Sequence, residues 1–125
     1  MISSNLRTPL YAVMAWLTLS TLWNVVGVVL VANGQRAPGP TASLAAAALL
    51  VGIGALLAVG VLRSPTLFGA LCGICGLFAL AAVVQAVTGD PALWPAAFWR
   101  WAGAALNAFG AAAGCLGVIS TWFRS

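Results

Sequence analysis

The stretch ASLAAAALLVGIGALLAVGVLRSPTLFGALCGICGLFALAAVVQAVT (residues 42–88) carries a single charge, Arg63, in 47 residues. Apolar runs lie on both sides of Arg63-Ser64-Pro65. A hydrocarbon core of roughly 30 Å takes about 20 apolar residues as a helix. Lipid offers a spanning backbone no water, so each run must satisfy its own N–H and C=O groups by coiling. Ser64 can cap the second helix, and Pro65 falls at the first helical position, where a missing N–H costs nothing. Residues 42–62 and 65–88 therefore read as an antiparallel hairpin of two membrane spans.

The same pattern repeats outward in both directions. Upstream, an apolar run at 9–32 opens at Thr8-Pro9 and stops at Asn33-Gly34, a left-handed helix end. Its length exceeds the 7–15 apolar residues of a signal peptide, so it reads as a retained span. Gly34-Gln35-Arg36-Ala37-Pro38-Gly39-Pro40 cannot continue a helix, and Thr41 can cap the next one. Downstream, Gly89 stops the third span, and Asp90-Pro91-Ala92-Leu93-Trp94-Pro95 forms a short interfacial stretch before a fourth span at 97–122. The sequence predicts an all-α membrane protein with four transmembrane helices in an up-down bundle of two hairpins. The loops are short, and residues 1–125 form a single integral membrane domain.

Composition narrows the function. The chain has no Lys, Glu or His, and its charged residues are Arg7, Arg36, Arg63, Asp90, Arg100 and Arg124. Mean hydropathy is +1.10. The arginines fall singly at span ends, whereas nucleic-acid binding needs a clustered basic face. Arg7, Arg63 and Arg124 lie on one side, against Arg36 and Arg100 on the other. That asymmetry favours both termini in the cytoplasm, and the Ala/Gly/Arg-rich, lysine-free composition points to a bacterial inner membrane. Trp94, Trp99 and Trp101 cluster at the start of the fourth span and Trp122 marks its end, as in an interfacial belt. Trp16 and Trp23 lie deeper and read as packing residues.

Two glycine rows stand out. Gly69, Gly73 and Gly76 on the third span and Gly110, Gly114 and Gly117 on the fourth share one spacing and comparable depth. Small residues let membrane helices approach closely, so the rows read as the internal seam of the bundle or as a contact with another subunit. Cys72 and Cys75 form a C-x-x-C at the depth of Cys115, and the three thiols could converge. A thiol–disulfide pair or a soft-metal site is the functional reading. Inert packing is the simpler one, and no metal is expected.

Intramembrane amides are the other candidates. Asn24 and Asn107 each lie roughly 12–15 Å from the outer ends of their helices at 1.5 Å per residue. They could hydrogen-bond to one another. They could instead line an outer-leaflet pocket for a lipid or quinone headgroup, walled by Trp23, Trp99 and Trp101. Gln85 and Arg100, nearer that surface, are further candidate contacts for the lipid or quinone headgroup, and Arg100 could also pair with Asp90.

Catalysis finds no base, carboxylate pair or nucleophile triad within the spans. In size and four-span layout the chain is similar to the small multidrug resistance exporters. The acidic residue that those proteins carry midway along the first helix is absent, and Ala15, Trp16 and Leu17 occupy that region. The expectation is a non-catalytic accessory or structural subunit of a larger respiratory, photosynthetic or transport complex. Its partners would be other integral membrane subunits, lipids and a quinone, with no cofactor of its own. Two alternatives stay open: a small homo-oligomeric transporter or channel lined by Asn24, Gln85 and Asn107, and a thiol-redox protein using Cys72 and Cys75.

Overall fold

The computed structural model describes residues 2–40 and 42–123. Among these, four helices form: α1 (Ser4–Ala32), α2 (Leu44–Arg63), α3 (Pro65–Thr88) and α4 (Ala97–Trp122), with a 3₁₀ turn at Pro91–Leu93. All four are long and apolar enough to cross a membrane. They pack as a ring: α3 meets α4 most closely, α4 and α2 flank α1, and α2 closes on α3. Leu49, Leu77, Phe78, Phe98 and other large apolar side chains face outward. In water such a surface would drive association; in lipid it is simply solvated.

One end of the bundle holds the helix ends near both termini and the α2–α3 turn, with Arg7 and Arg63. The opposite, loop end holds the α1–α2 and α3–α4 connections, with Arg36 and Arg100. Arg124 lies outside the described residues.

Two helix starts differ from the sequence reading. α1 begins at Ser4, so Pro9 lies inside the helix rather than opening it. The proline forfeits one hydrogen bond, to the Asn5 carbonyl, but tertiary contacts hold the turn before it. Leu6 is buried in the core, and Asn5 Nδ2 donates to the Ser120 carbonyl at 3.0 Å. Pro9 itself is fully buried, so its ring contributes packing in place of the bond. α2 begins at Leu44 rather than 42; Thr41, expected to cap it, lies outside the described residues. Ser43 is the cap, accepting at Oγ from the Ala46 N–H at 3.0 Å.

The other ends follow local chemistry. At the end of α1, Gly34 takes φ +76°, which glycine adopts without steric cost. The Gln35 N–H donates to Leu30 O at 2.9 Å and the Gly34 N–H to Val31 O at 3.0 Å, so two terminal carbonyls are satisfied. Ser64 Oγ accepts from the Leu67 N–H at 3.2 Å and caps α3. Asp90 Oδ1 accepts from the Ala92 N–H at 2.9 Å and closes the 3₁₀ turn.

The α3–α4 seam explains the glycine rows. Gly69 lies opposite Thr121, Cys72 opposite Gly117, Gly73 opposite Val118 and Gly76 opposite Gly114. A Cβ on Gly114 would stand 2.5 Å from the Cys72 carbonyl oxygen and 2.7 Å from Gly76 Cα, so backbone touches backbone there. Gly110 departs from the pattern. It faces α1, and the Trp16 indole occupies the space a side chain would need. Next to this seam, Val13, Leu57, Phe68, Cys72 and Cys75 are fully buried and fill the half of the bundle toward the termini.

Candidate functional site

Toward the loop end the helices part around a cavity of about 260 Å³. Its space has a local cause. α2 and α3 touch at their shared turn, where a Cβ on Gly60 would lie 3.2 Å from Phe68 N. Farther along, α2 presents Ala46 and α3 presents Ala82 to the cavity, and neither fills the gap. Leu49 and Phe78 line the same cavity yet are 57% and 56% exposed, so it opens sideways between α2 and α3. Trp16 and Ile53 form the floor, above the sealed core.

The loop end is closed by the connections. Pro38 is fully buried beside Gly27, Gly39 packs on the Trp94 indole, and an Arg36 guanidinium nitrogen donates to the Ala92 carbonyl. A smaller space of about 50 Å³ lies beneath, bordered by Gln85, Arg100, Gly39 and Trp94. It shares Trp23 and Asn107 with the main cavity.

The two asparagines do not bond to each other, contrary to the simplest sequence expectation. Asn24 Oδ1 accepts from the Ser43 N–H at 3.0 Å, and its Nδ2 donates to Ser20 O at 2.8 Å. Asn24 thus ties α1 to the cap of α2. Asn107 Oδ1 accepts from Trp16 Nε1 at 3.3 Å, and its Nδ2 donates to Gly103 O at 2.9 Å. Each amide is held by its own partners, and both line the cavity from opposite helices.

Ser20, one turn before Asn24 on α1, is a further lining residue and was not singled out from the sequence. Thr18, Thr21, Thr88 and Thr121 each donate to the carbonyl four residues back, the usual way a hydroxyl satisfies itself in a helix. Ser20 does not. Its Oγ is fully buried without a hydrogen-bond partner, as is that of Ser120 in the closed core, and the 7% of Ser20 that is exposed belongs to its other atoms. The spacing of Trp16, Ser20 and Asn24 at i, i+4 and i+8 places them on one helix face and was the available signal.

The remaining candidates occupy distinct places. Trp23 lines the cavity and is braced from behind by Trp99, edge to face at 5.6 Å and 80°. Trp99 is therefore a support, and Trp101, 51% exposed, faces outward. Trp94 is not part of an exposed belt: it is 7% exposed, packed with Ala86 and Ala104. Arg100 does not pair with Asp90. Its Nε donates to Ala86 O at 2.6 Å and its Nη2 to Val87 O at 3.2 Å, capping the last turn of α3. Its guanidinium lies 4.8 Å from the Trp101 ring centroid and 5.8 Å from that of Trp94.

The three thiols do not converge. Cys72 and Cys75 are buried, with Cys72 against Gly117, whereas Cys115 is exposed. Helix rotation explains this: Gly114 and Gly117 face the seam, so Cys115 between them turns outward. In detergent, a fluorescent apolar maleimide is expected to label Cys115 alone, and Cys72 and Cys75 only after denaturation. Mass mapping of the adducts checks this, and rapid labelling of Cys72 would contradict the packing.

Chemically, the cavity is lined by two amide residues and two indoles among apolar side chains, and no residue lining it is charged. Such a lining can bind and orient a neutral molecule. The chain matches no protein family, no curated protein and no solved structure, so the reading rests on this geometry.

Proposed function

We propose that this chain is a non-catalytic subunit of a larger membrane assembly, packing against partner helices and holding an uncharged lipid-soluble molecule in its lateral cavity. The carrying observation is on the outer surface. Ala45, Ala48, Gly52 and Ala55 on α2 are all exposed at 3–4 residue spacing, and Ala105, Ala108, Ala112 and Cys115 repeat the pattern on α4. A helix facing only lipid has no need of small side chains, whereas a partner backbone does. Gly52 has no atom within 4 Å of where a Cβ would lie, leaving room for a neighbour.

In this reading the membrane is a bacterial inner membrane with both termini cytoplasmic, on the arginine distribution. A channel through the single bundle has less support, because the cavity ends on the fully buried layer of Val13, Leu57, Phe68 and Cys75. Affinity purification in mild detergent with mass spectrometry tests the proposal. Wild-type protein is expected to retain membrane partners, and Gly52→Leu to lose them while keeping its thermal stability. Recovery of the wild type as a lone monomer or homodimer sinks the subunit reading.

A further inference from the structure

The small space beneath the loop end is a site of its own, and we propose that it binds a single halide ion between the Arg100 guanidinium and the Gln85 amide. The assignment rests on neither the main cavity nor the subunit reading. Charge, donor set and size carry it.

Among the described residues, Arg100 is the only charged one on the wall of either cavity, and no carboxylate lines the small one. Its Nε and Nη2 donate to the Ala86 and Val87 carbonyls, and it makes no ion pair with any described residue. The carbonyls and the Trp94 and Trp101 rings offer it only dipoles and quadrupoles, so the cation has no counter-ion. Nη1 makes no hydrogen bond and keeps accessible surface, which leaves both of its hydrogens to give.

The neighbouring side chains add donors. Gln85 makes no side-chain hydrogen bond, and its amide atoms also keep accessible surface, so Nε2 is free to donate. Asn107 has its Oδ1 engaged by Trp16 and one Nδ2 hydrogen left over. Trp23 and Trp94 contribute indoles, which donate and do not accept. Against these, the described side chains on the wall offer one unengaged acceptor, Gln85 Oε1. An occupant that only accepts, and carries negative charge, completes such a wall. Water would leave the guanidinium uncompensated.

At about 30 Å³ of liquid volume per water, a space of about 50 Å³ takes one or two water-sized occupants. A lone halide is of that size, and a phosphodiester with its two substituents is not. Arg100 and Gln85 are part-exposed near the loop end, which gives an ion a path from the polar surface.

The shared chemistry, an anion on a guanidinium, also describes a lipid phosphate, and the experiment separates the two sources. The whole chain in dodecyl maltoside is titrated with sodium bromide at constant ionic strength, with sodium sulfate making up the balance. Bromide quenches indole fluorescence on contact, and Trp23 and Trp94 border the space. The expected result is a saturable component above the linear collisional one. Chloride should reverse it, and dihexanoyl phosphatidylglycerol at equal concentration should not. Gln85→Leu should weaken bromide binding about tenfold or more, the worth of one hydrogen bond to a charged partner. Its thermal stability in sulfate should match wild type, because the amide has no protein partner to lose. Gln85→Glu should abolish binding, because a carboxylate beside Arg100 supplies the counter-ion itself.

Quenching that stays linear gives the space to water and overturns the proposal. So does quenching that chloride fails to reverse, or unchanged affinity in either Gln85 variant. Displacement by the lipid assigns Arg100 to a headgroup and overturns the halide. A loss of stability in Gln85→Leu assigns the amide a structural role and overturns it too.

Discussion

Gly114→Leu is expected to separate α3 from α4 and unfold the bundle. The new Cβ would meet the Cys72 carbonyl oxygen at 2.5 Å and Gly76 Cα at 2.7 Å, and the remaining side-chain atoms have nowhere to turn. Overpacking costs about 1–3 kcal/mol when neighbouring side chains can yield. Here the neighbours are backbone, so the loss should exceed about 3 kcal/mol, beyond the range where side chains yield. Unfolding by sodium dodecyl sulfate in mixed micelles, followed by circular dichroism, measures it. Gly52→Ala is the contrast: nothing lies near its Cβ position, and removing a helical glycine should stabilise by up to about 1 kcal/mol. Equal stability of Gly114→Leu and wild type would show that the seam has another register.

The second large effect is expected at Arg100. The Ala86 and Val87 carbonyls belong to the last turn of α3 and lack partners within the helix. The guanidinium satisfies both, and hydrogen bonds to a charged group contribute roughly 1.5–3 kcal/mol each before its own desolvation is counted. Stacking on Trp101 adds about 0.5–1 kcal/mol at an exposed ring. Arg100→Met should therefore lose about 2–4 kcal/mol, the sum less that desolvation. Amide exchange should rise first in the last turn of α3 and in Pro91–Leu93. Arg100→Lys should recover less than half, because an ammonium gathers its donors on one nitrogen and lacks the rigid, spaced Nε and Nη2 pair that reaches the two carbonyls. Full recovery by lysine would reduce the interaction to charge alone.

Element number and type were legible because apolar run length in lipid leaves one structural choice. Helix starts were less so. Thr8-Pro9 resembles a local start signal, yet Leu6 and the Asn5–Ser120 bond extend α1 past it. Both are tertiary contacts that no local pattern encodes. The glycine spacing pointed to close approach but not to which helix each glycine meets, and Gly110 turned to Trp16. At the site, residue type drew attention to Asn24 and Asn107, while their partners, Ser43 and Trp16, came from the fold. Ser20 was passed over because serine is unremarkable in a membrane helix until its hydroxyl is seen to lack the carbonyl four residues back. Arg100 was read as a charge seeking Asp90, when a helix end had more carbonyls to offer.

The close contact of Gly60 with Phe68 gives α2 a mechanical property. Leu49 lies 11 residues from that fulcrum, a lever arm of about 16 Å at helical rise. A tilt of roughly five degrees there moves the cavity mouth by about 1.4 Å over that arm, near the difference between a methyl group passing and being refused. Any change in the tilt of α2 about that contact would therefore be felt at the mouth and not at the turn.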